Sequence, residues 1–386
     1  MEQYRPFLSI VVPTKNRYFY LKYLIQQVER LNTKEIELVI QDNSDDNSEF
    51  IAYLNEKDYS FVKYDYVKGS LPICENVDKA LSKAIGEYVC MLGDDDGFTK
   101  YTLDCAHWMK DNDIDVVKPS DLYYFWPDAN TGLIKDKTAT IRYHSFSATV
   151  NYVSAYDEIL KVLDKGIVDR GRMAMVYHSI VKKEALDKVF EKCGTYAPGN
   201  SPDISNAVAL SLIVKKYAII NLPLSYSGSS VQKGGGVTAP GKKYPPMIED
   251  IPFWKEGARE RWYSKLPKIA VGSIIWAESA ISALKAMGRE DLIEKVDFDK
   301  AYMNFAVAHP KEKNYVMEFY PNKFIFGIKF VWAYLKMILD AIHLKLGWKI
   351  GFIPKYEYIT NIENTLEASI RLEEESRDLC KLFKKG

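Results

Sequence analysis

Residues 88–97 read YVCMLGDDDG, an apolar run from Tyr88 to Leu92 that ends in Gly93 and three consecutive carboxylates, Asp94, Asp95 and Asp96. An apolar run of that length bounded by glycines fits a strand buried on both faces. The acids then lie at a strand's carboxyl end, where open α/β sheets bind ligands. Three adjacent anions repel one another. A divalent cation that prefers hard oxygen ligands, Mg²⁺ or Mn²⁺, relieves the repulsion and keeps positions open for a substrate's phosphates. An acidic turn or the start of a helix accommodates the same residues without a metal, because aspartate is favoured at both.

Upstream, the chain repeats one pattern. Phe7 to Val12 (FLSIVV) is β-branched and apolar and is expected to stop at Pro13, leaving Pro13 to Arg17 (PTKNR) as a loop at the strand's carboxyl edge. Tyr20, Leu21, Leu24, Ile25, Val28 and Leu31 then recur at helical spacing. A second strand, Glu37 to Gln41, runs into a polar turn at Asp42 to Asp46, and Ser48 is placed to cap a helix. Phe61 to Val67 reads as a weaker strand, and Ile73 to Ile85 as a helix containing Asn76 and closed by Gly86. Strand, loop and helix in alternation imply a mostly parallel sheet with right-handed crossovers. Three strand ends, at residues 13–17, 42–46 and 94–96, then share one edge, which favours the metal over the acidic turn. With neither GxGxxG nor GxxxxGK[ST] in the chain, a nucleotide bound there is gripped by side chains at its base and ribose and by the metal at its pyrophosphate.

Taken in order, LSIVVPTKNR, ELVIQDNSDDNS and ENVDKALSKAIGEYVCMLGDDD resemble the successive signature blocks of glycosyltransferase family two, inverting enzymes of the GT-A fold. The resemblance is close over about the first hundred residues and looser to about residue 230. It implies a nucleotide pocket lined by Pro13, Thr14, Asn16 and Arg17, with Asp42 and Asn43 at the base and Asn76 beside them. It also implies that Asp94 to Asp96 form the DxD element, which holds the ribose and a Mn²⁺- or Mg²⁺-bound diphosphate. Many members read D-x-D-D where this chain has Gly93-Asp94-Asp95-Asp96, so two registers are open, and Asp95 and Asp96 are favoured as nearest the metal. The family also needs a base on a helix after this element. Asp203 is the best-placed candidate and Asp169 and Asp187 are weaker ones, although a carboxylate in a first helical turn is also stabilised by the helix dipole alone.

Bulk composition bounds the rest. At 386 residues, two domains are expected: a GT-A domain over 1–235, α/β and Rossmann-like with helices flanking the sheet, and a mainly helical region over 236–386. Lys+Arg and Asp+Glu both number 52, so net charge does not point to nucleic acid. Five scattered cysteines with no CxxC pair indicate neither zinc nor disulfides, and the cytoplasm is the expected home. Thr99 to Asn112 and Ser154 to Leu163 read as helices and Ile114 to Lys118 as a strand, while Asp121 to Tyr152 has no clean periodicity and suits acceptor-facing loops. His178 falls in an expected strand, where packing or a structural hydrogen bond is a commoner role than catalysis. Ser225 to Pro246 has the composition of a linker, or of a lid closing over a diphosphate with Lys233 as its cation. Helices are expected at Trp254 to Met287, Asp291 to Ala308, Phe324 to Trp348 and Tyr358 to Lys385. The third is broken by lysines and unlikely to span a bilayer. It either packs on its own domain or lies on the inner membrane surface, and the last could pair two copies into a homodimer.

The expected activity is metal-dependent, inverting transfer of a sugar from a nucleoside-diphosphate sugar, UDP favoured, to a hydroxyl of a glycan or lipid-linked glycan in surface-polysaccharide synthesis. The rivals are a nucleotidyltransferase of sugar phosphates and a non-catalytic glycan-binding module.

Overall fold

The computed structural model describes residues 5–69, 71–129, 138–231, 247–248, 260–269, 271–350 and 356–384, with the side chains of 348–350 left aside. The first hundred residues alternate as read: β1 (Leu8–Thr14), α1 (Tyr18–Leu31), β2 (Ile36–Asp42), α2 (Ser48–Leu54), β3 (Val62–Tyr66), α3 (Ile73–Ser82), β4 (Tyr88–Met91) and the short β5 (Gly97–Phe98). Next come α4 (Tyr101–Asp111), β6 (Val116–Pro119), β7 (Tyr123–Phe125), β8 (Thr140–Tyr143), β9 (Val150–Val153), α5 (Ala155–Asp164), β10 (Ile180–Lys182), α6 (Lys183–Cys193), α7 (Pro202–Ser211), β11 (Tyr217–Ile220) and β12 (Ser225–Ser229). Helices α8 (Gly272–Ala286), α9 (Phe298–Ala308), α10 (Asn314–Met317) and α11 (Lys323–Ile350) precede β13 (Glu357–Thr360) and α12 (Thr365–Glu375).

The main sheet runs β3-β2-β1-β4-β10-β6-β11-β9. Its strands are parallel from β3 through β4 and again from β6 to β11, and β10 and β9 run against their neighbours. Period-two alternation explains why the central strands are apolar throughout. Leu8, Ile10 and Val12 face the core under α1 and α4, whereas Val11, with Val39, Val89 and Met91, faces the core under α3, α6 and α7. The α/β class and the helical C-terminal region are those expected.

Several local expectations need correction. The first strand does not stop at Pro13 but runs to Thr14, with Pro13 opposite Gln41. Its pairing with β4 has already ended at Val11, so on that side the missing N–H costs no ladder bond. Helix α3 ends at Ser82, and Gly86 is not its cap: a Cβ there would lie 2.7 Å from the Ser9 backbone nitrogen, so the glycine lets the chain pass close over β1. The described residues of 121–153 contain three short strands, and Ser225–Ser229, expected as part of a linker or lid, is a strand, while residues 232–246 of that stretch lie outside the described residues. A second sheet, β13-β8-β7-β12-β5, gathers these pieces beside the first.

The last expected helix divides into β13, α12 and a short turn of helix at Leu379–Lys384. Its apolar residues Ile362, Ala368 and Leu372 are buried with Tyr124, Trp126 and Tyr226 of this same chain, so that face is not open to a second copy. Ser369 Oγ donates to Gln27 Oε1 at 2.9 Å and to the Phe98 carbonyl at 2.7 Å, fastening α12 under β5. Among the described residues, helix α11 packs on the core of the helical region through Phe326, Phe330 and Ala333. Lys329 pairs with Asp299 of α9 on that packed side.

Candidate active site

Thr14, Asp42 and the loop after β4 end neighbouring strands on one edge of the sheet, as the alternation requires. There Asp94, Asp95 and Asp96 are 5, 8 and 1 % exposed, beside an Arg17 that is 8 % exposed. Buried charges persist only when paired and hydrogen-bonded, and the partners come from four elements. Arg17 Nε lies 2.9 Å from Asp94 Oδ1 and Arg17 Nη2 lies 2.6 Å from Asp95 Oδ2. Thr14 Oγ1 donates to Asp94 Oδ2 at 2.7 Å, and Ser230 Oγ donates to Asp95 Oδ2 at 2.7 Å. Asp96 accepts from the Gly228 amide (2.7 Å), the Gly93 amide (2.5 Å) and the Tyr177 hydroxyl (2.8 Å), with His178 Nε2 at 3.2 Å.

These surroundings split the three acids. Burial pushes the Asp94 carboxyl up to about 7 against the pull of Arg17, with Asp95 adding to the rise. Burial and then the charge of Asp96 raise Asp95 as well. Burial also opposes ionisation of Asp96, but the His178 imidazole and the two glycine amides together hold it below the usual carboxylate range. A Cβ at Gly93 would lie 2.9 Å from Asp96 Oδ2, the end of a side chain that can turn aside.

Strand β12 closes over this loop. A Cβ at Gly228 would lie 1.7 Å from the Asp95 carbonyl oxygen, and Trp126 Nε1 donates to that same carbonyl at 2.9 Å. Glycine is thus obligatory at 228 for the strand to lie on the acids. Trp126 was not expected in the site, and Gly228 and Ser230 were expected near it only if Ser225 to Pro246 formed a lid. The run Ser225-Tyr226-Ser227-Gly228-Ser229 alternates with period two, a strand signal that its glycine and serine content obscured.

Asn16, with a left-handed φ of 58°, ties the first loop to the second by an amide bond to Ser44 Oγ (2.7 Å) and a side-chain bond to Asp45 (2.7 Å). Asp42 is fully buried, accepting from the Tyr18 and Tyr64 hydroxyls at 2.6 Å each and from Ser44. Asn43 and Asn76 are buried with their amides 3.2 Å apart. Lys233 lies outside the described residues.

Asp203 lies in the first turn of α7, after Ser201 at the N-cap position. Burial lifts its carboxyl above the ordinary value, Arg170 and His178 pull it back, and Asp96 adds to the lift. Asn206, about one turn further along the same helix, accepts from the Val176 amide at 2.9 Å and so joins α7 to the segment before β10. Asp187 instead pairs with Lys183 on α6, and Asp169 is exposed and accepts from the Gly171 amide at 2.8 Å. His178 does not lie in a strand. It sits just before β10 with φ of 62°, a conformation costing about 1–3 kcal/mol that clusters at functional sites. Its ring packs on Tyr177, with centroids 4.1 Å apart. With Tyr177, His178 borders a cleft also lined by Lys118, Asp121, Tyr123 and Arg170.

Hard carboxylate oxygens suit Mg²⁺ or Mn²⁺, but five of the six oxygens here already have the partners named above. Asp95 Oδ1 is the exception, with no hydrogen bond or ion pair among the described residues. Nor is any group of three or more His, Cys, Asp or Glu side chains among the described residues arranged to hold an ion alone. The residues fit an ion that takes few carboxylate oxygens from the loop and has water and phosphate oxygens as most of its ligands.

Residues 9–197 match the family model described as glycosyl transferase family 2. Over 96 residues the chain is 33 % identical to a GalNAc(5)-diNAcBac-PP-undecaprenol beta-1,3-glucosyltransferase of Campylobacter jejuni. That match spans 24 % of this chain and only 30 % of the relative's length. Crystal structures of S. aureus TarS 1–349, with UDP-GlcNAc and with UDP, align over 81 and 85 % of this chain and 90 and 88 % of theirs. Identity is 16 % in both, and the TM-scores are 0.47 and 0.44.

Proposed function

The chain belongs, through residues 9–197, to glycosyl transferase family 2, and from that premise we propose that it is an inverting glycosyltransferase acting on a nucleoside-diphosphate sugar, UDP-linked by preference. The acceptor is a hydroxyl of a glycan or lipid-linked glycan, the class named for the C. jejuni relative. One observation carries the reading: Asp203 lies in the first turn of helix α7, whose Asn206 accepts from the Val176 amide at 2.9 Å, two residues before the His178 that approaches Asp96.

In this mechanism Thr14, Asn16 and Arg17 line the donor pocket. Asp42 and the Asn43–Asn76 pair set its floor through the bonds described above. Asp95, through Oδ1, would hold Mn²⁺ or Mg²⁺ together with the donor's diphosphate, with Asp94 beside it. The ion supplies positive charge against the charge that develops on the leaving diphosphate. The Arg17 guanidinium adds fixed positive charge on the same side. Asp203 accepts the acceptor hydroxyl's proton as that oxygen attacks the anomeric carbon from the face opposite the diphosphate. One C–O bond forms as another breaks, so configuration inverts. Its raised pKa makes Asp203 a stronger base than an exposed aspartate.

The same reading places the protein at the cytoplasmic face of the membrane. Among the described residues no helix is long and apolar enough to cross a bilayer. Helix α11 nevertheless exposes Phe324, Val331, Trp332, Leu335 and Leu339, 48 to 77 % accessible, interspersed with lysines, a composition suited to an interfacial helix. Flotation with anionic vesicles tests it: retention of the full chain is expected, and none would refute it.

The activity is tested by incubating the protein with Mn²⁺, a panel of nucleotide sugars and glycan acceptors. Release of free nucleoside diphosphate with formation of an inverted linkage is expected. Release of pyrophosphate, or nucleotide-sugar synthesis from a sugar phosphate, would identify a nucleotidyltransferase instead.

A further inference from the structure

We infer that the cleft between Lys118 and Arg170 binds an oxyanion carried by the acceptor, a phosphate or carboxylate next to the hydroxyl that is glycosylated. This rests on the glycosyltransferase reading and specifies the acceptor's chemistry.

The cleft is bordered by Lys118, Asp121 and Tyr123 on one side and by Arg170, Tyr177 and His178 on another. Tyr177 and His178 also contact Asp96, so the cleft opens directly beside the acid loop. Neither cation makes an ion pair with a carboxylate among the described residues. Arg170 has no hydrogen bond there, and Lys118 Nζ has only the Gly171 carbonyl at 3.4 Å. Most other cations near this region are paired, including Arg172 with Glu158 at 2.9 Å and Lys161 with the same carboxylate at 2.7 Å. Burial lowers the pKa of Lys118 and the charge of Arg170 lowers it further, whereas Asp121 and Glu158 raise it. Two like charges left partly desolvated and facing one space are costly, and an anion entering between them relieves both. The donor's own diphosphate belongs with Arg17 and Asp95, so this second cationic position is available to the acceptor. Arg170 and His178, which border the cleft, are also the groups that hold down the rise of the Asp203 carboxyl.

The test uses the full chain saturated with UDP and Mn²⁺, so that the donor pocket is occupied. Methyl phosphate, methyl glucuronide and neutral methyl glucoside are then titrated by saturation-transfer NMR. Wild type is expected to bind at least one of the two anions at least tenfold more tightly than the neutral glycoside. The preferred anion identifies the source, phosphate linkage or acidic sugar. R170Q and K118Q should each reduce that preference several-fold and the double variant should abolish it, with the UDP affinity unchanged. Circular dichroism confirms folding, and either single variant suffices if the pair does not fold. The inference is overturned if wild type shows no preference for an anion, if the preference survives both substitutions, or if UDP binding falls in parallel. Anion binding without any UDP binding would instead count against the donor reading and leave the cleft's selectivity measurable.

Discussion

Substituting asparagine for Asp94 should make the ligand-free protein more stable at pH 8 while impairing its use of donor. Burial lifts the Asp94 carboxyl from its reference value of 3.8 to about 7. A folded-state value raised above the unfolded one means that the native state favours the protonated acid. The contribution is present in full below about 4 and is lost as pH rises through about 7. The gap of 7 − 3.8 = 3.2 units corresponds to about 4 kcal/mol at about 1.4 kcal/mol per unit. Asparagine resembles the protonated acid and can still accept from Thr14, but it forgoes attraction to Arg17, which keeps its 2.6 Å contact with Asp95. A gain of about 1–3 kcal/mol at pH 8 is expected, shrinking towards zero at pH 4.5. Urea denaturation of both proteins at the two pH values measures it, provided the m-values agree. Destabilisation at pH 8, or an equal difference at both pH values, would refute the reasoning that the acid loop stores repulsion until a cation and donor arrive. Such a trade of stability for function is common at binding sites.

Other expectations follow from the same geometry. Asp203→Asn should leave UDP affinity within about twofold of wild type while lowering transfer by about 10²–10⁴-fold, measured by calorimetry and product formation; normal turnover would remove Asp203 as the base. Because transfer requires ionised Asp203 and burial raises its pKa, the acid limb of the pH–rate profile should lie above the ordinary aspartate value of about 3.9, and rate should fall as pH drops through it. Gly228→Ala, whose new Cβ would lie 1.7 Å from the Asp95 carbonyl oxygen, should cost about 1–3 kcal/mol in a urea melt and weaken UDP binding. Treatment with EDTA should abolish transfer and Mn²⁺ should restore it; full activity after chelation would exclude the ion.

How far the chain could be read followed how local each signal was. The Phe7, Glu37 and Tyr88 runs carry their strand identity in their own composition, and the order of polar residues after them placed Thr14, Asp42 and Asp94 to Asp96 on one edge. Asp203 was singled out as a candidate because a proline-bounded helix start is also a local signal. Strand β12 was hidden: its glycine is required by contact with the Asp95 carbonyl and the Asp96 carboxylate, partners more than a hundred residues away. His178 was assigned to packing because a histidine in an apolar run usually is; its left-handed backbone and its approach to Asp96 depend on the antiparallel insertion of β10 between β4 and β6. Arg17 was placed with the nucleotide, but its pairing with two of the acids is a tertiary fact. The return of α12 under β5 was likewise illegible, since an amphipathic helix does not state which surface it covers.

The most direct test is crystallographic: crystals soaked with Mn²⁺ and UDP, with data collected at the manganese edge. The account predicts one anomalous peak within coordinating distance of Asp95 Oδ1 and of the diphosphate oxygens. An acid loop without the ion while UDP is bound, or an ion bound elsewhere, would contradict it.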